Sequence, residues 1–319
     1  MKEIIPKIPL ELIEAELTTD KLLRETNKGG NKIYVLTAHD SPNIMQEIGR
    51  IREITFRQAG GGTGLETDID IYDTCEIPYK QLIVWDPDAK EILGGYRYIL
   101  CDELSYNESG EPNLATAHLF HFTNKFITEY LPHTIELGRS FVQPDYQSSK
   151  AGAKALYALD NLWDGLGALT VDHPEMKYFF GKVTMYTHFN IEARNYILAF
   201  LRKYFNDHEE LVFPKEKFLI EIDFSSYDRV FTANDIKEDY KILSKKVREL
   251  GENIPPLVNA YMNLSPTMRS FGTAVNDEFG YVEETGIIVT INDIYEAKKD
   301  RHIETYISSK DISARLDVH

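Results

Sequence analysis

Apolar residues recur at two spacings along the chain, one suited to strands and one to helices. Lys32–Ala38 (KIYVLTA) reads as a strand. Ser41-Pro42 follows, a capping residue with proline at the first helical position. Ile44, Ile48, Ile51 and Ile54 continue at helical spacing, so the pattern predicts a helix over 41–58. It stops at Gly60-Gly61-Gly62-Thr63-Gly64, a loop. Lys80–Trp85 and Glu91–Leu100 read as strands flanking the turn signal Asp86-Pro87-Asp88. Residues 102–113 are polar and loop-like. Thr134–Val142 (TIELGRSFV) is a further strand, followed by a helix from about Ser149 with Ala155, Leu159, Leu162 and Leu166 on one face. Met176–Met185 is strand-like, and Asn190 caps a helix that turns Ala193, Ile197, Phe200 and Tyr204 inward. That order predicts a mixed α/β sheet rather than an up-down bundle.

Beyond about residue 210 comes Lys217–Asp223, then a helix from Asn234 to Leu250 with Ile236, Tyr240, Leu243, Val247 and Leu250 as its stripe and Gly251 as its stop. Ile254-Pro255-Pro256-Leu257 punctuates the chain, and two more strand-like runs follow, one of them Gly286–Ile291. Residues 1–30 read as an amphipathic lead-in ending at Gly29-Gly30.

Composition narrows the function. The 319 residues carry a formal net charge of −16, which a duplex or an anionic membrane would repel, so nucleic acid is not an expected partner. Cys75 and Cys101 make no CxxC pair and no disulfide framework, as in a reducing compartment. The first thirty residues carry acids through every apolar stretch, the pattern of neither a signal peptide nor an anchor. No apolar run approaches the roughly 20 residues of a membrane span. The expectation is a cytoplasmic protein whose membrane contact, if any, is peripheral, at the inner face.

Nucleotide-cofactor fingerprints and GxSxG are absent. His118 and His121 have no obvious further ligand nearby, and the acidic run Glu66–Asp73 lacks the glycine and distal glutamate of a calcium loop, so no metal is expected. Four short groups do align in order. Arg52 and Phe56 form R-x-x-x-F on the first predicted helix, and Asp68, Asp70 and Asp73 follow the glycine-rich loop. Arg97 closes Gly94-Gly95-Tyr96-Arg97 on a strand, and Glu136-Leu137-Gly138-Arg139 lies on the next long one. Each alone is weak; the order is specific.

This series resembles the acyl-homoserine-lactone synthases, enzymes of the GNAT fold that take acyl chains from acyl-carrier protein. A closer resemblance is to the ornithine- and glycine-lipid N-acyltransferases, often labelled putative hemolysins. Glu136–Tyr146 (ELGRSFVQPDY) is similar to that family's most specific block, and Ile254-Pro255-Pro256-Leu257 with Tyr261 to its downstream proline-rich motif. The resemblance covers roughly residues 32–300. It implies a GNAT-like N-acyltransferase domain over residues 1–210, a mixed central sheet flanked by helices, with a C-terminal α/β extension over 211–319 packed on or extending it.

It also implies a site. Attack of an amine on a thioester needs a base, a donor for the carbonyl oxygen, a phosphate cradle and an apolar tunnel. Glu136 and Arg139 are the expected catalytic pair, and Arg52, Phe56, Asp68, Asp70, Asp73 and Arg97 the expected acceptor-binding residues. Ser140, Phe141 and Val142 are expected to meet the acyl-phosphopantetheine donor. Ser148, Ser149, Lys150, Ala151 and Gly152 would cradle its phosphate at a helix N-terminus, with Lys150 and Lys154 adding positive charge. The usual Q/R-x-x-G-x-G/A pyrophosphate loop of the superfamily is degraded there. Asn190 and Ala193 match the late GNAT helix, but Tyr196 sits one place early for the tyrosine that protonates the leaving thiolate, so no general acid is assigned.

Residues three apart on an ideal strand point to opposite faces. A β-bulge at Gly138 would bring Glu136 and Arg139 to one side. Arg139 could then hold Glu136 ionised or grip the acceptor's carboxylate; a half-buried structural ion pair is the other reading.

The implied function is transfer of a long (3-hydroxy)acyl chain from acyl-carrier protein, or coenzyme A, to glycine or ornithine, giving a lyso-aminolipid with no resident cofactor. The alternatives are an acyl-homoserine-lactone-type signal synthase and a non-enzymatic, hemolysin-like membrane-active protein.

Overall fold

The computed structural model describes residues 1–108, 110–147 and 153–308. Ten strands are described: β1 Leu22–Glu25, β2 Lys32–Leu36, β3 Lys80–Asp86, β4 Glu91–Leu100, β5 Phe120–Phe122, β6 Thr134–Val142, β7 Tyr178–Met185, β8 Val212–Pro214, β9 Arg269–Asn276 and β10 Val282–Thr290. The helices are α1 Leu10–Glu16, α2 Pro42–Gln58, α3 Ile71–Thr74, α4 Ala153–Asp172, α5 Ile191–Tyr204, α6 Ser225–Asp228, α7 Ile236–Glu249, α8 Pro256–Met262 and α9 Glu296–His302. Eight strands form one sheet in the order β1-β2-β3-β4-β6-β7-β10-β9, and β5 and β8 form a separate pair. Every neighbour in the large sheet is antiparallel except β6 and β7, which are parallel and joined through α4. This is a mixed sheet flanked by helices.

The periodicity accounts for which side each helix covers. Leu162, Leu166 and Leu169 of α4 are buried against Leu82, Val84, Tyr96, Leu137, Phe179 and Val183 on one face. Each such side chain contributes about 1.5–3 kcal/mol by leaving water. On the other face Ile44, Ile48 and Ile51 of α2 pack with Ile83, Trp85 and Ile92. Both faces are therefore covered, and the central strands are almost wholly buried.

Several local expectations shift. Ser41 stands at the start of α2, but Glu16 supplies the cap, accepting Asn43 N at 3.1 Å and Ile44 N at 2.8 Å. Of Lys217–Asp223, only Leu219 makes a bridge, to Ala274. Pro255-Pro256 opens α8, with Pro256 at a first-turn position where its missing N–H costs nothing. The lead-in contains α1 and an edge strand, β1. No helix among the described residues is long and apolar enough to cross a membrane.

Candidate active site

The two parallel strands run together only briefly. β6 pairs with β7 from Thr134–Tyr178 to Leu137–Gly181, and there the ladder ends. Gly181 stands at the parting point, where a Cβ would lie 2.6 Å from the Leu137 carbonyl oxygen. Beyond it the strands diverge around a cavity of about 480 Å³ lined by residues 137–142 of β6 and Gly181, Lys182 and Thr184 of β7.

The cavity draws its walls from both faces of the sheet. Side chains alternate along a strand, and the register carries that alternation across neighbours. Arg97 is opposite Gln81, Glu136 opposite Ile99 and Phe180, and Glu284 opposite Thr184. Arg97, Glu136, Lys182 and Glu284 thus share the α2 face, and all four line the cavity. The α4 face contributes Tyr96, Leu137, Leu159, Leu257 and Tyr261, which are largely apolar. A gap in the sheet therefore joins a charged chamber to an apolar one.

A bulge shapes the β6 side. Gly95 pairs with Phe141 and Arg97 with Gly138, so Arg139 and Ser140 together oppose Tyr96. Arg139, not Gly138, takes the left-handed conformation, with φ of 47°. A non-glycine residue there costs of order 1–3 kcal/mol. Two contacts offset it: Arg139 Nε lies 2.9 Å from an Asp68 carboxylate oxygen, and the guanidinium carbon sits 4.1 Å from the centre of the Phe279 ring.

The spaced arginines and aspartates meet in one network. Arg97 Nη1 donates to Asp70 at 2.7 Å and to Asp73 at 3.3 Å, and Arg52 reaches Asp73 at 3.4 Å. Arg52 also donates to Gln81. Asp70 and Asp73 close a capping box on α3. Arg52, Asp68 and Asp73 are fully buried. Burial pushes Asp73 up, but Arg97 and then Arg52 outweigh it and bring its carboxyl down to about 2. Asp68 is raised, its burial outweighing Arg139.

Glu136 belongs to a different set of contacts. One carboxylate oxygen accepts the Tyr79 hydroxyl and the other accepts Thr116 N at 3.1 Å. It makes no ion pair with Arg139; the guanidinium that bears on it is Arg97. Burial raises its pKa, against the hydrogen bonds from Tyr79 and Thr116.

Of the residues expected at the site, Phe56, Arg97, Glu136, Arg139, Ser140, Phe141 and Val142 line the cavity, while Arg52, Asp68, Asp70 and Asp73 stand behind that wall. Pro255, Pro256, Leu257 and Tyr261 line it too. Ser148, Ser149, Lys150, Ala151 and Gly152 lie outside the described residues. Tyr196 packs edge-on against Tyr227, ring centres 5.0 Å apart, and is not in the wall. Sequence reasoning missed Tyr79, Thr116, Lys182, Tyr186 and Glu284. The one available signal was charge inside apolar strand patterns, Lys182 in YFFGKVTM and Glu284 in VEETGIIVT.

Residues 51–157 match the Acetyltransferase (GNAT) domain. A protein of Bacteroides thetaiotaomicron named Glycine N(alpha)-acyltransferase is 61% identical over 309 residues, 97% of this chain and 92% of that one. One of the same name from Phocaeicola vulgatus is 60% identical over 96% of this chain and 94% of its own length. A solved CoA-dependent acyl-homoserine lactone synthase, with SAM and isopentyl-CoA, aligns over 85% of this chain and 89% of its own at 12% identity. Its TM-score of 0.36 is too low to place any residue by comparison. With relatives this similar over nearly its whole length, the chain belongs to the GNAT-type acyltransferases, in one family with the proteins named glycine N(alpha)-acyltransferase.

Proposed function

We propose that this enzyme transfers a long acyl chain, (3-hydroxy)acyl in kind, from acyl-carrier protein to the amino group of glycine, giving a lyso-aminolipid. The observation that carries the reading is the gap between β6 and β7, which joins an apolar chamber to a charged one. The thioester lies on the α4 side, its tail among Leu137, Leu159, Leu257 and Tyr261. The amino acid enters on the α2 side. The names of the two relatives support glycine over ornithine.

Glu136 takes a proton from the glycine ammonium, directly or through one water. The freed nitrogen attacks the thioester carbon, forming the N–C bond; backbone N–H groups beside the Arg139 bulge receive the developing oxyanion. The C–S bond then breaks, and the thiolate takes up the proton that the attacking nitrogen gives up as it becomes the amide. A carboxyl whose pKa burial has raised suits the first step, since a stronger base takes the ammonium proton more readily. Asp68, Asp70 and Asp73 act through the arginines they hold, setting the position of Arg97 and Arg139.

The pairing of β10 with β7 supports reading residues 211–319 as an extension of the 1–210 domain, since Phe279 and Glu284 complete the cavity. Acyl-carrier protein is preferred as donor because the degraded loop after Gln147 suits a single phosphate better than a full coenzyme A. Expression in a host lacking aminolipids, lipid extraction and mass spectrometry test the product: an N-acylglycine is expected, and an N-acylornithine or no new lipid would overturn the reading. For the donor, a higher kcat/KM with acyl-coenzyme A of matched chain length would remove acyl-carrier protein.

A further inference from the structure

Across the gap from Glu136 the charged chamber holds a second carboxylate. Glu284 on β10 and Lys182 on β7 form an ion pair whose side chains are 3% and 12% exposed. Lys182 is opposite Gly286 and Glu284 opposite Thr184, so the two lie diagonally on one face of adjoining strands. Glu284 also accepts Asn276 Nδ2 at 2.8 Å and the Thr184 hydroxyl at 3.2 Å. Burial would raise Glu284, but Lys182 outweighs it and keeps the carboxylate charged.

Folding does not require this pair. β7 and β10 already share an unbroken register of directly opposed residues from Met185–Glu283 to Tyr178–Thr290. A buried ion pair adds little over apolar side chains of the same size, because desolvation consumes most of the attraction. Its place in the cavity wall offers a use for it. A zwitterionic amino acid carries one cation and one anion on neighbouring atoms, the same complement as Lys182 with Glu284. Partner exchange lets four alternating charges replace two without leaving any of them bare.

We propose that Lys182 and Glu284 are the acceptor subsite, with Lys182 binding the amino acid's carboxylate and Glu284 its ammonium before the proton passes to Glu136. This rests on the glycine reading above. It makes Lys182 the residue that separates an amino acid from a simple amine. A site built to pair with a charged group rejects an analogue lacking that group by orders of magnitude.

The test compares glycine with glycinamide, which keeps the amine and lacks the carboxylate, under a saturating long-chain acyl thioester. The parent should favour glycine in kcat/KM by about 100-fold. Lys182→Met should bring that preference to within about threefold, and comparing the ratio between proteins cancels the intrinsic reactivity of the two amines. Glu284→Gln should raise KM for both acceptors alike while leaving the donor's KM unchanged. Should either single variant fold poorly, Lys182→Met/Glu284→Gln removes both charges together, leaves none unpaired and carries the same ratio test. Glycine turnover with an unchanged preference in either Lys182 variant would overturn the subsite alone. A parent that acylates neither compound would overturn the glycine reading and the subsite with it.

Discussion

Tyr79 donates its hydroxyl to Glu136 from the residue before β3, 57 residues earlier in the chain, and both side chains are buried. This bond and the one from Thr116 N orient the carboxylate toward the gap without neutralising it. The proposed base is therefore positioned by neutral donors, and it stays free to gain a proton.

Replacing Glu136 by Gln keeps the shape; its Oε1 still accepts Thr116 N, and its Nε2 donates to the Tyr79 oxygen in place of the bond the carboxylate accepted. The kcat should fall by about 10²–10⁴, with part of the rate returning at high pH, where the amine loses its proton unaided. Stability should not fall. A carboxyl raised above its ordinary 4.5 holds a proton that the unfolded chain releases, so it costs stability as pH rises through that range. Gln removes that cost. A variant that melts well below the parent at pH 7, or that turns over normally, would take Glu136 out of the chemistry.

Tyr79→Phe removes a donor to the carboxylate and should raise the Glu136 pKa further, since that bond lowers it. The ascending limb of the kcat–pH profile should move to higher pH, with the plateau largely recovered. A loss of rate uniform across pH would mean that Tyr79 only packs.

Asp73 is held down by Arg97 and Arg52, and Asn in its place leaves two buried guanidinium groups short of an anion. Asp73→Asn should destabilise by about 3–5 kcal/mol. In the parent, the stability Asp73 contributes is complete above its ordinary 3.8 and is lost as pH falls toward about 2. Acid unfolding followed by circular dichroism checks both: the variant should lack that last acid-sensitive phase.

Leu257 faces the apolar chamber from α8. Leu257→Trp should shift the preferred donor to shorter acyl chains while KM for glycine holds, measured over a series of acyl thioesters. A profile that keeps its maximum would place the tail elsewhere.

The hydrophobic pattern located the elements that the site needs. Thr134–Val142 was legible to its last residue, and α2 missed by one at its start, because long periodic runs leave little choice. Phe120–Phe122 and Val212–Pro214 were not, being too short to show a period. The arginine and aspartate series was legible as a series, yet not as a network closed on itself: spacing says which residues recur, not that Asp73 is already paired twice over. Lys182 and Glu284 lie 102 positions apart and meet only because β10 returns to pair with β7, a pairing no local pattern announces. Arg139 in a left-handed conformation was hidden for a related reason, since the stacking ring that helps hold it comes from Phe279 in the last hairpin.

The gap that begins at Gly181 also has a consequence for what leaves the enzyme. In the proposed reaction the product is threaded: its tail stays on one side of the sheet, its head on the other, and the new amide bond sits in the opening between them. Such a molecule escapes only by drawing one end through that opening or by sliding out sideways where β6 and β7 diverge. A head group without a side chain passes most easily. Exit through the sheet would then select by size, where the charged chamber selects by charge.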